Sequence, residues 1–416
     1  MRALKKPRIT LLPDFPNWAF DYIARSIATR LKHRFRFQIE YAARHPEIRG
    51  SETDLLYVFF WGYKVPECSG LGKHQVIKDV ASWAWCHQHK NYPVRSKPDF
   101  VQNYLDDCGF VTTPTAAIYT ELASEGFPIV HCPNGVEDRY YANHHCHPQG
   151  RLRIGWVGNA EDEHRVKGLK DVLLPASVGY DFKVSGGRMS RFELRKFYGS
   201  IDVLAVASSY ESQPLPLLES MSAGCFPVCT NVGIVPELIT SGENGLVVER
   251  SPEAFADAFK WCADNVEFLR ARRAAQRKFA AKQSWDVWAP RFGDLFDFVL
   301  ANRHGGDLCL PHELVSIVDR VPINNSACRT INDKRIASGI FSKFQIDMGD
   351  AVRRFFLGTR FGKGRGENLF RWYARRRGWC SAVIRRFREL RMQGGLVDAL
   401  ILAARSFCRN YLRIRF

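Results

Sequence analysis

The apolar positions in the first 130 residues alternate between two patterns. Short, nearly continuous apolar runs indicate strands covered on both faces, and apolar residues three or four positions apart indicate amphipathic helices. The runs predict strands at 9–12, 36–41, 55–60, 76–85, 109–112 and 129–132, and helices at 18–31, 100–105 and 115–124. This alternation predicts a doubly wound parallel sheet.

A second alternation begins after residue 150. It predicts strands at 153–158, 182–187, 201–206, 226–229 and 246–248, and helices that begin at 169, cover 192–198, end at 223, cover 255–270 and cover 284–300. The polar stretch 143–150 breaks the pattern, so we expect the domain linker there. The chain is therefore predicted to form a Rossmann-like domain at 1–146, a second at 151–300 and a basic helical extension at 305–416.

The composition is that of a globular protein, with 46% hydrophobic and 25% charged residues. No apolar run approaches the roughly 18 residues of a membrane span, and no signal peptide is visible. Twelve scattered cysteines are typical of reduced thiols in a cytoplasmic protein. The run His144, His145, Cys146 and His147 invites a zinc interpretation, but no second, distant pair of ligands stands out, so a solvated linker is favoured.

Two carboxylates eight positions apart, Glu211 and Glu219, flank the start of a predicted helix. Pro214 and Pro216 suit its first turn, where a missing N–H costs nothing. The free N–H groups and the dipole of a helix N-terminus favour a bound phosphate, and a carboxylate can accept from two neighbouring hydroxyls. The pattern predicts a site for a phosphate with hydroxyl-rich groups on both sides. On spacing alone, an amphipathic helix with two solvated glutamates stays an open alternative.

Further motifs surround that pair: AGCFPV at 223–228, GIVPELI at 233–239 and NGLV at 244–247. Upstream lie RIGWVG at 153–158, the dipeptide Lys167-Gly168, and PNGV at 133–136. Together they resemble retaining glycosyltransferases of the GT-B fold, specifically the large family four, also called group 1. The resemblance covers residues 8–300 and is strong from 151 onward.

The resemblance implies two Rossmann-like domains facing a cleft, with the first on the acceptor side and the second binding the donor. It implies transfer of a sugar from a nucleoside-diphosphate sugar to a hydroxyl acceptor, a glycan or a lipid-linked saccharide, with retention at the anomeric carbon. Neither a metal nor another cofactor is implied, because helix N-termini and side-chain cations stabilise the leaving diphosphate.

The resemblance also implies roles for single residues. Glu211 would hold hydroxyls of the donor sugar, and Glu219 the ribose. Lys167 and the amides near residues 213–215 would take the diphosphate. The implied catalytic residues are Glu211, Lys167 and His87, and the implied donor contacts are Gly158, Asn159, Lys167, Ser185, Gln213, Pro214, Leu215 and Glu219.

The chain departs from the family pattern at three places. Asn159 stands where the family usually has Arg, so one donor cation is missing unless His164 or Arg165 replaces it. Residues 13–17 replace a Gly-Gly loop, and His87 or His89 is the candidate for a histidine near the reacting carbon. The missing Arg and the unassigned histidine support the alternative of a non-catalytic nucleotide-sugar-binding protein.

The C-terminal stretch 351–416 carries +14 of the formal net charge of +17. Its apolar positions at 382–390 are interleaved with arginines, a pattern typical of helices that lie on anionic membranes. That interpretation predicts a protein at the inner face of the cell membrane. A helical cap with solvated arginines is an equal alternative, and nucleic-acid binding is the least favoured of the three.

Overall fold

The computed structural model describes residues 6–81, 96–123, 125–142, 148–160, 166–187, 189–303 and 310–315. Within these ranges the chain forms two parallel β-sheets flanked by helices, as the alternating pattern predicts. No helix of the described ranges is both long enough and apolar enough to cross a bilayer.

The first sheet has six parallel strands in the order β2-β1-β3-β4-β5-β6. They are β1 (Arg8–Leu12), β2 (Arg36–Ile39), β3 (Leu55–Val58), β4 (Val76–Asp79), β5 (Phe110–Thr113) and β6 (Ile129–His131). The connecting helices are α1 (Ala19–Leu31), α2 (Lys97–Tyr104) and α3 (Ala116–Ala123), with single 3-10 turns at Ala42–Arg44, Glu67–Ser69 and Lys73–Gln75. Strand β3 shows why the run is apolar throughout: Leu55 and Tyr57 face one core, and Leu56 and Val58 face the other.

The second sheet has five parallel strands in the order β11-β10-β9-β7-β8. They are β7 (Arg153–Val157), β8 (Asp181–Ser185), β9 (Val203–Val206), β10 (Phe226–Thr230) and β11 (Leu246–Val248). The helices of this half and of the return are α4 (Asp138–Ala142), α5 (Leu174–Ala176, continuing a π-helical turn over Leu169–Leu173), α6 (Arg191–Gly199), α7 (Leu215–Ala223), α8 (Val235–Leu238), α9 (Pro252–Asp264), α10 (Val266–Ala271), α11 (Arg273–Ala281), α12 (Trp285–Asn302) and α13 (His312–Val315).

Some element boundaries differ from the sequence predictions. The predicted helix 255–270 is two helices, because Asn265 has a non-helical backbone (φ −120°, ψ 24°) between α9 and α10. The strand predicted at 76–85 ends at Asp79, and residues 82–95 lie outside the described ranges. Strand β2 ends at Ile39, and the chain then enters a 3-10 turn over Ala42–Arg44.

The chain passes between the two halves twice, and the two crossings touch. Val136 donates its N–H to the Gln283 carbonyl (3.0 Å), and Trp285 donates its N–H to the Val136 carbonyl (3.2 Å). Gly135 allows this contact, because an added Cβ would lie 2.5 Å from the Trp285 backbone. The approach is therefore open to glycine alone.

The side chains beyond each crossing show which half they join. Val136 and Tyr141 are buried in the core of the second half, although the sequence analysis placed the linker at 143–150. Residues 143–147 lie outside the described ranges. The chain enters the core of the second half before residue 143, because Val136 and Tyr141 already belong to that core. In the other direction, α12 packs Trp285, Phe292 and Phe296 into the core of the first half, where the sequence analysis expected a closing helix.

Candidate active site

Glu211 lies in the loop between β9 and α7 and is held by a cation and a hydroxyl. Its Oε1 forms an ion pair with Lys167 Nζ and accepts a hydrogen bond from Ser208 Oγ (2.8 Å). The Glu211 side chain is 13% exposed and that of Lys167 is 36% exposed. The structure thus brings together two sequence-predicted site residues that lie 44 positions apart.

Backbone contacts hold the Lys167 loop against the loop that carries Glu211. Ser209 donates its N–H to the Val166 carbonyl (2.8 Å), which ties the two loops together. Gly168 has a positive φ of 69°, and an added Cβ would lie 2.3 Å from the Ala207 carbonyl oxygen. A side chain at this position would therefore force the two loops apart.

A small pocket lies beside Lys167. Its lining residues are Asn159, Ala160, Lys167, Gly168, Leu169, Lys170 and Asp171. Asn159 therefore lies next to the lysine, as the motif order predicts. Lys170 is a lining residue that the motifs did not indicate. Its position three residues after Lys167, at the start of a helical turn, was a signal that could have found it.

The start of α7 offers few backbone donors. Pro214 and Pro216 have no N–H, and the Leu217 N–H is bonded to the Pro214 carbonyl (3.0 Å). Within residues 213–217 this leaves the amides of Gln213 and Leu215, inside the stretch predicted to face a phosphate. The Gln213 side chain has a different role: its Oε1 accepts from the Asn134 N–H (2.8 Å) and its amide group donates to the Asn134 carbonyl, which joins the two halves.

Glu219 lies on α7 and is held by two phenols. Tyr141 donates its hydroxyl to Oε1 (2.7 Å), and Tyr198 donates its hydroxyl to Oε2 (2.8 Å). Burial raises the pKa of Glu219, while the two phenolic hydrogen bonds and the nearby Arg191 guanidinium oppose that shift. The Arg191 guanidinium lies over the rings of Tyr22 (5.3 Å) and Tyr140 (5.2 Å).

Glu219 borders a pocket between the two halves. The pocket is lined by Tyr22, Ile23, Ser26, Gly135, Val136, Glu137, Tyr141, Arg191, Leu215, Leu218, Glu219 and Trp285. Glu137, which also lines the pocket, is held by Arg30 in a bidentate ion pair (2.9 Å for both bonds) and accepts a hydrogen bond from Ser26 (2.9 Å). Tyr22, Tyr141 and Arg191 are site residues that the sequence analysis missed, since nothing in their local pattern marks them.

The GIVPELI motif supports the Glu211 loop and reaches the first half. Gly233 has a φ of 51°, and an added Cβ would lie 1.8 Å from the Ser212 carbonyl oxygen. Glu237 accepts the N–H of Ala116 at the start of α3 (2.7 Å), and its other oxygen lies 3.6 Å from His131 Nε2. Burial raises the pKa of Glu237 to about 7 and lowers the pKa of His131 to about 4.

The remaining predicted site residues have different outcomes. Ser185 ends β8, and its hydroxyl is buried without a hydrogen-bond partner in the described part of the chain. Gly158 donates its N–H to the Ser185 carbonyl (3.3 Å), so both lie beside Asn159. His87, His89, His164 and Arg165 lie outside the described residues. No cluster of three or more His, Cys, Asp or Glu suited to a metal ion occurs among the residues that the structure describes.

Comparison with known proteins gives this architecture its class. The fold is similar to that of sucrose-phosphate synthase from Thermosynechococcus elongatus (TM-score 0.55, 13% identity, 71% of this chain and 100% of that one). It is also similar to that of Anabaena Alr3699/HepE in complex with UDP-glucose (TM-score 0.50, 11% identity, 70% of this chain and 99% of that one). The two facing Rossmann-like halves form a GT-B fold.

The second half carries the family signature. Residues 149–279 match the family model described as Glycosyl transferases group 1. Over 113 residues the chain is 31% identical to the D-inositol 3-phosphate glycosyltransferase of Corynebacterium glutamicum (strain R), a match that covers 27% of each chain. The chain thus matches only about a quarter of that curated relative's length. Residues 149–279 are therefore similar to the group 1 glycosyltransferases, the family that the motifs indicate.

Proposed function

We propose that this protein is a glycosyltransferase that moves a sugar from a nucleoside-diphosphate sugar to a hydroxyl acceptor with retention at the anomeric carbon. The observation that carries the proposal is the Lys167–Glu211 ion pair in the loop before α7, with Glu219 about one turn into that helix. A cation, a helix N-terminus and two carboxylates suit a ligand in which a diphosphate lies between two hydroxyl-rich groups. A solved structure with the same fold holds UDP-glucose.

In the proposed reaction the bond between the anomeric carbon and the diphosphate oxygen breaks, and the diphosphate leaves with the electron pair. The acceptor oxygen bonds to the same carbon, and its proton is released. Lys167 and the amides of Gln213 and Leu215 stabilise the charge that develops on the leaving diphosphate. Glu211 orients the donor sugar through its hydroxyls, and Glu219 orients the ribose. His87 remains the proposed catalytic histidine.

The pocket beside Lys167 supplies a reason why Asn159 does not preclude donor binding. Lys170 is a cationic residue that borders the same pocket as Asn159 and Lys167. We assign to it part of the electrostatic role that an Arg at 159 has in the family. Since these cations and the helix N-terminus stabilise the diphosphate, the proposed reaction requires no metal.

The competing proposal is a nucleotide-sugar-binding protein without catalysis. Release of nucleoside diphosphate separates the two, measured with UDP-glucose, ADP-glucose and GDP-mannose, each with and without EDTA. We expect at least one donor to raise the melting temperature, since a ligand at a hundred times its Kd stabilises by about 2.7 kcal/mol. That donor should be hydrolysed slowly, at the same rate in EDTA. Stabilisation without any release would favour the binding protein, and a loss in EDTA that manganese restores would contradict the metal-free mechanism.

We further propose that residues 351–416 attach the enzyme to an anionic membrane surface, where a lipid-linked saccharide would be its acceptor. The support is the charge of +14 in this stretch, interleaved with apolar residues. The full chain should sediment with vesicles that contain phosphatidylglycerol but not with pure phosphatidylcholine, and binding should weaken in salt because exposed charges are screened beyond about 10 Å at 0.1 M. A chain ending at residue 350 should lose sedimentation and keep donor hydrolysis. Equal behaviour of the two chains would refute the membrane role.

A further inference from the structure

We propose that Tyr141 and Tyr198 are positioning residues that orient the Glu219 carboxylate toward the two adjacent hydroxyls of the donor's ribose. The inference rests on the proposed function and adds two residues to its site. Tyr198 comes from α6 and Tyr141 from α4, and their hydroxyls reach opposite oxygens of one carboxylate at 2.8 Å and 2.7 Å.

The two tyrosines occupy only part of the hydrogen-bonding capacity of the Glu219 carboxylate. Each carboxylate oxygen has about two acceptor positions, and the tyrosines occupy one on each oxygen. One position on each oxygen therefore remains, and Glu219 borders the pocket between the halves. Two acceptor positions on one rigid carboxylate match a vicinal diol, in which hydroxyls on neighbouring carbons donate side by side.

The two phenols are fixed in place by packing. Tyr198 is fully buried and Tyr141 is 1% exposed, and their rings meet edge to face with centroids 5.7 Å apart. Arg191 lies over the Tyr141 ring at 5.9 Å. A side chain in such a shell has few alternative rotamers, so the hydroxyl groups hold the carboxylate at one orientation.

Neutral partners suit this role better than a cation would. Among the described residues no Lys, Arg or His nitrogen forms an ion pair with Glu219. A cation bound directly to the carboxylate would compete with the ligand hydroxyls for the same acceptor positions. The phenols orient the group and leave its negative charge for the ligand, which strengthens the hydrogen bonds that the ribose donates.

The groups around Glu219 influence its pKa, and with it the pH at which ribose binding should be lost. Arg191 and the two tyrosines face it from α4 and α6, and Glu137 lies across the same pocket. From α11, Arg277 binds the Ala223 carbonyl at the other end of α7. Losing one phenolic hydrogen bond therefore removes support for the ionised carboxylate, and binding that needs the ionised form should then fail at a higher pH than in the wild type.

The test compares UDP with 2′-deoxy-UDP by calorimetry on the full chain, for the wild type, Tyr198→Phe and Tyr141→Phe. Tyr140→Phe is the matched control, a neighbouring tyrosine that does not border the pocket. If the wild type binds ADP or GDP more tightly than UDP, the experiment uses that nucleotide and its 2′-deoxy form instead of UDP and 2′-deoxy-UDP. We expect each variant at 141 and 198 to weaken the ribonucleotide about tenfold, the size of a hydrogen bond to a charged group. The 2′-deoxy form should change less than twofold.

The pH profile is the second readout. The midpoint of ribonucleotide binding should move to higher pH in Tyr198→Phe and Tyr141→Phe, and should not move in Tyr140→Phe. A purely structural role would weaken both nucleotides equally and leave the midpoint in place, which would overturn the inference. Wild-type affinity for both nucleotides in both variants would overturn it as well.

Two outcomes separate this inference from the proposed function. If the wild type binds none of UDP, ADP and GDP, the proposed donor site fails and the tyrosine inference fails with it. If the wild type binds one of them and the variants weaken the ribonucleotide and its 2′-deoxy form by the same factor, or weaken neither, the inference alone fails. Should Tyr198→Phe not fold, Tyr141→Phe gives the decision, because each hydroxyl contacts a separate oxygen.

Discussion

Glu211 and Glu219 are the same residue type, lie on the two sides of one helix start, and have opposite surroundings. Glu211 is paired with the Lys167 ammonium and one serine hydroxyl. Glu219 is held by two tyrosine hydroxyls, and burial raises its pKa. The partner of Glu211 is a cation, whereas the partners of Glu219 are neutral hydroxyls that support its ionised form against the effect of burial. The difference assigns separate tasks to two positions that look equivalent in the chain.

The first half contains a second carboxylate held by hydroxyls. Asp79 ends β4, is 6% exposed and accepts a hydrogen bond from Thr112 Oγ1 (2.8 Å), which in turn contacts the Tyr57 hydroxyl (2.7 Å). Burial raises the pKa of Asp79 to about 7. A carboxylate held by hydroxyls therefore also occurs outside the proposed donor site, and substitutions at Glu211, Glu219, Lys167 and Asp79 can test the contrast.

The largest effect is expected from the glutamates themselves. Glu211→Ala should reduce donor turnover roughly a hundredfold, because bonds to a charged group are worth about 1.5–3 kcal/mol each. It should change the affinity for free nucleoside diphosphate little, since its proposed ligand is the sugar. Glu219→Ala should weaken the free diphosphate. Turnover and calorimetry on both variants make the comparison, and equal diphosphate affinity in Glu219→Ala and wild type would refute the ribose role.

An intermediate effect is expected at Lys167. Lys167→Ala removes a cation from the proposed diphosphate site and also releases Glu211. Donor use should fall about ten- to hundredfold. Since the two side chains touch, the double substitution with Glu211→Ala should cost less than the two single losses combined. Lys260→Ala is the control, an exposed lysine paired with Asp264 on α9. Strict additivity would show that the ion pair has no functional coupling.

The smallest effect is expected at Asp79, on stability. A folded pKa of about 7 lies above the unfolded value of about 3.9. The folded state therefore binds the proton more tightly, and stability is lost as pH rises from about 4 to about 7. Asp79→Asn keeps the acceptor for Thr112 and cannot titrate. Chemical denaturation at pH 6 and pH 8 should show that the variant gains roughly 1–2 kcal/mol relative to wild type at the higher pH. The same pH dependence in both proteins would mean that Asp79 is ionised when folded.

Most of the secondary structure could be predicted from the sequence because the patterns that indicate strands, helices and turns are local. Apolar runs such as that of β3 and motifs such as GIVPELI depend on residues within a few positions of one another, and the strands and turns formed where they indicated. The glycines at 168 and 233 have the positive φ that such turns require. Where a local signal was weak the prediction failed, as at Asn265, which divides one predicted helix into α9 and α10.

By itself, the sequence determined the two parallel sheets, the helix start between Glu211 and Glu219, and the residue types available to a donor. Only the tertiary structure decided the partners. Lys167 meets Glu211 across 44 positions, Tyr141 meets Glu219 across 78, and Ala116 meets Glu237 across 121. The reason is physical: hydrophobic periodicity is read within one element, whereas a carboxylate's partners and burial depend on which loops the sheets bring to one edge.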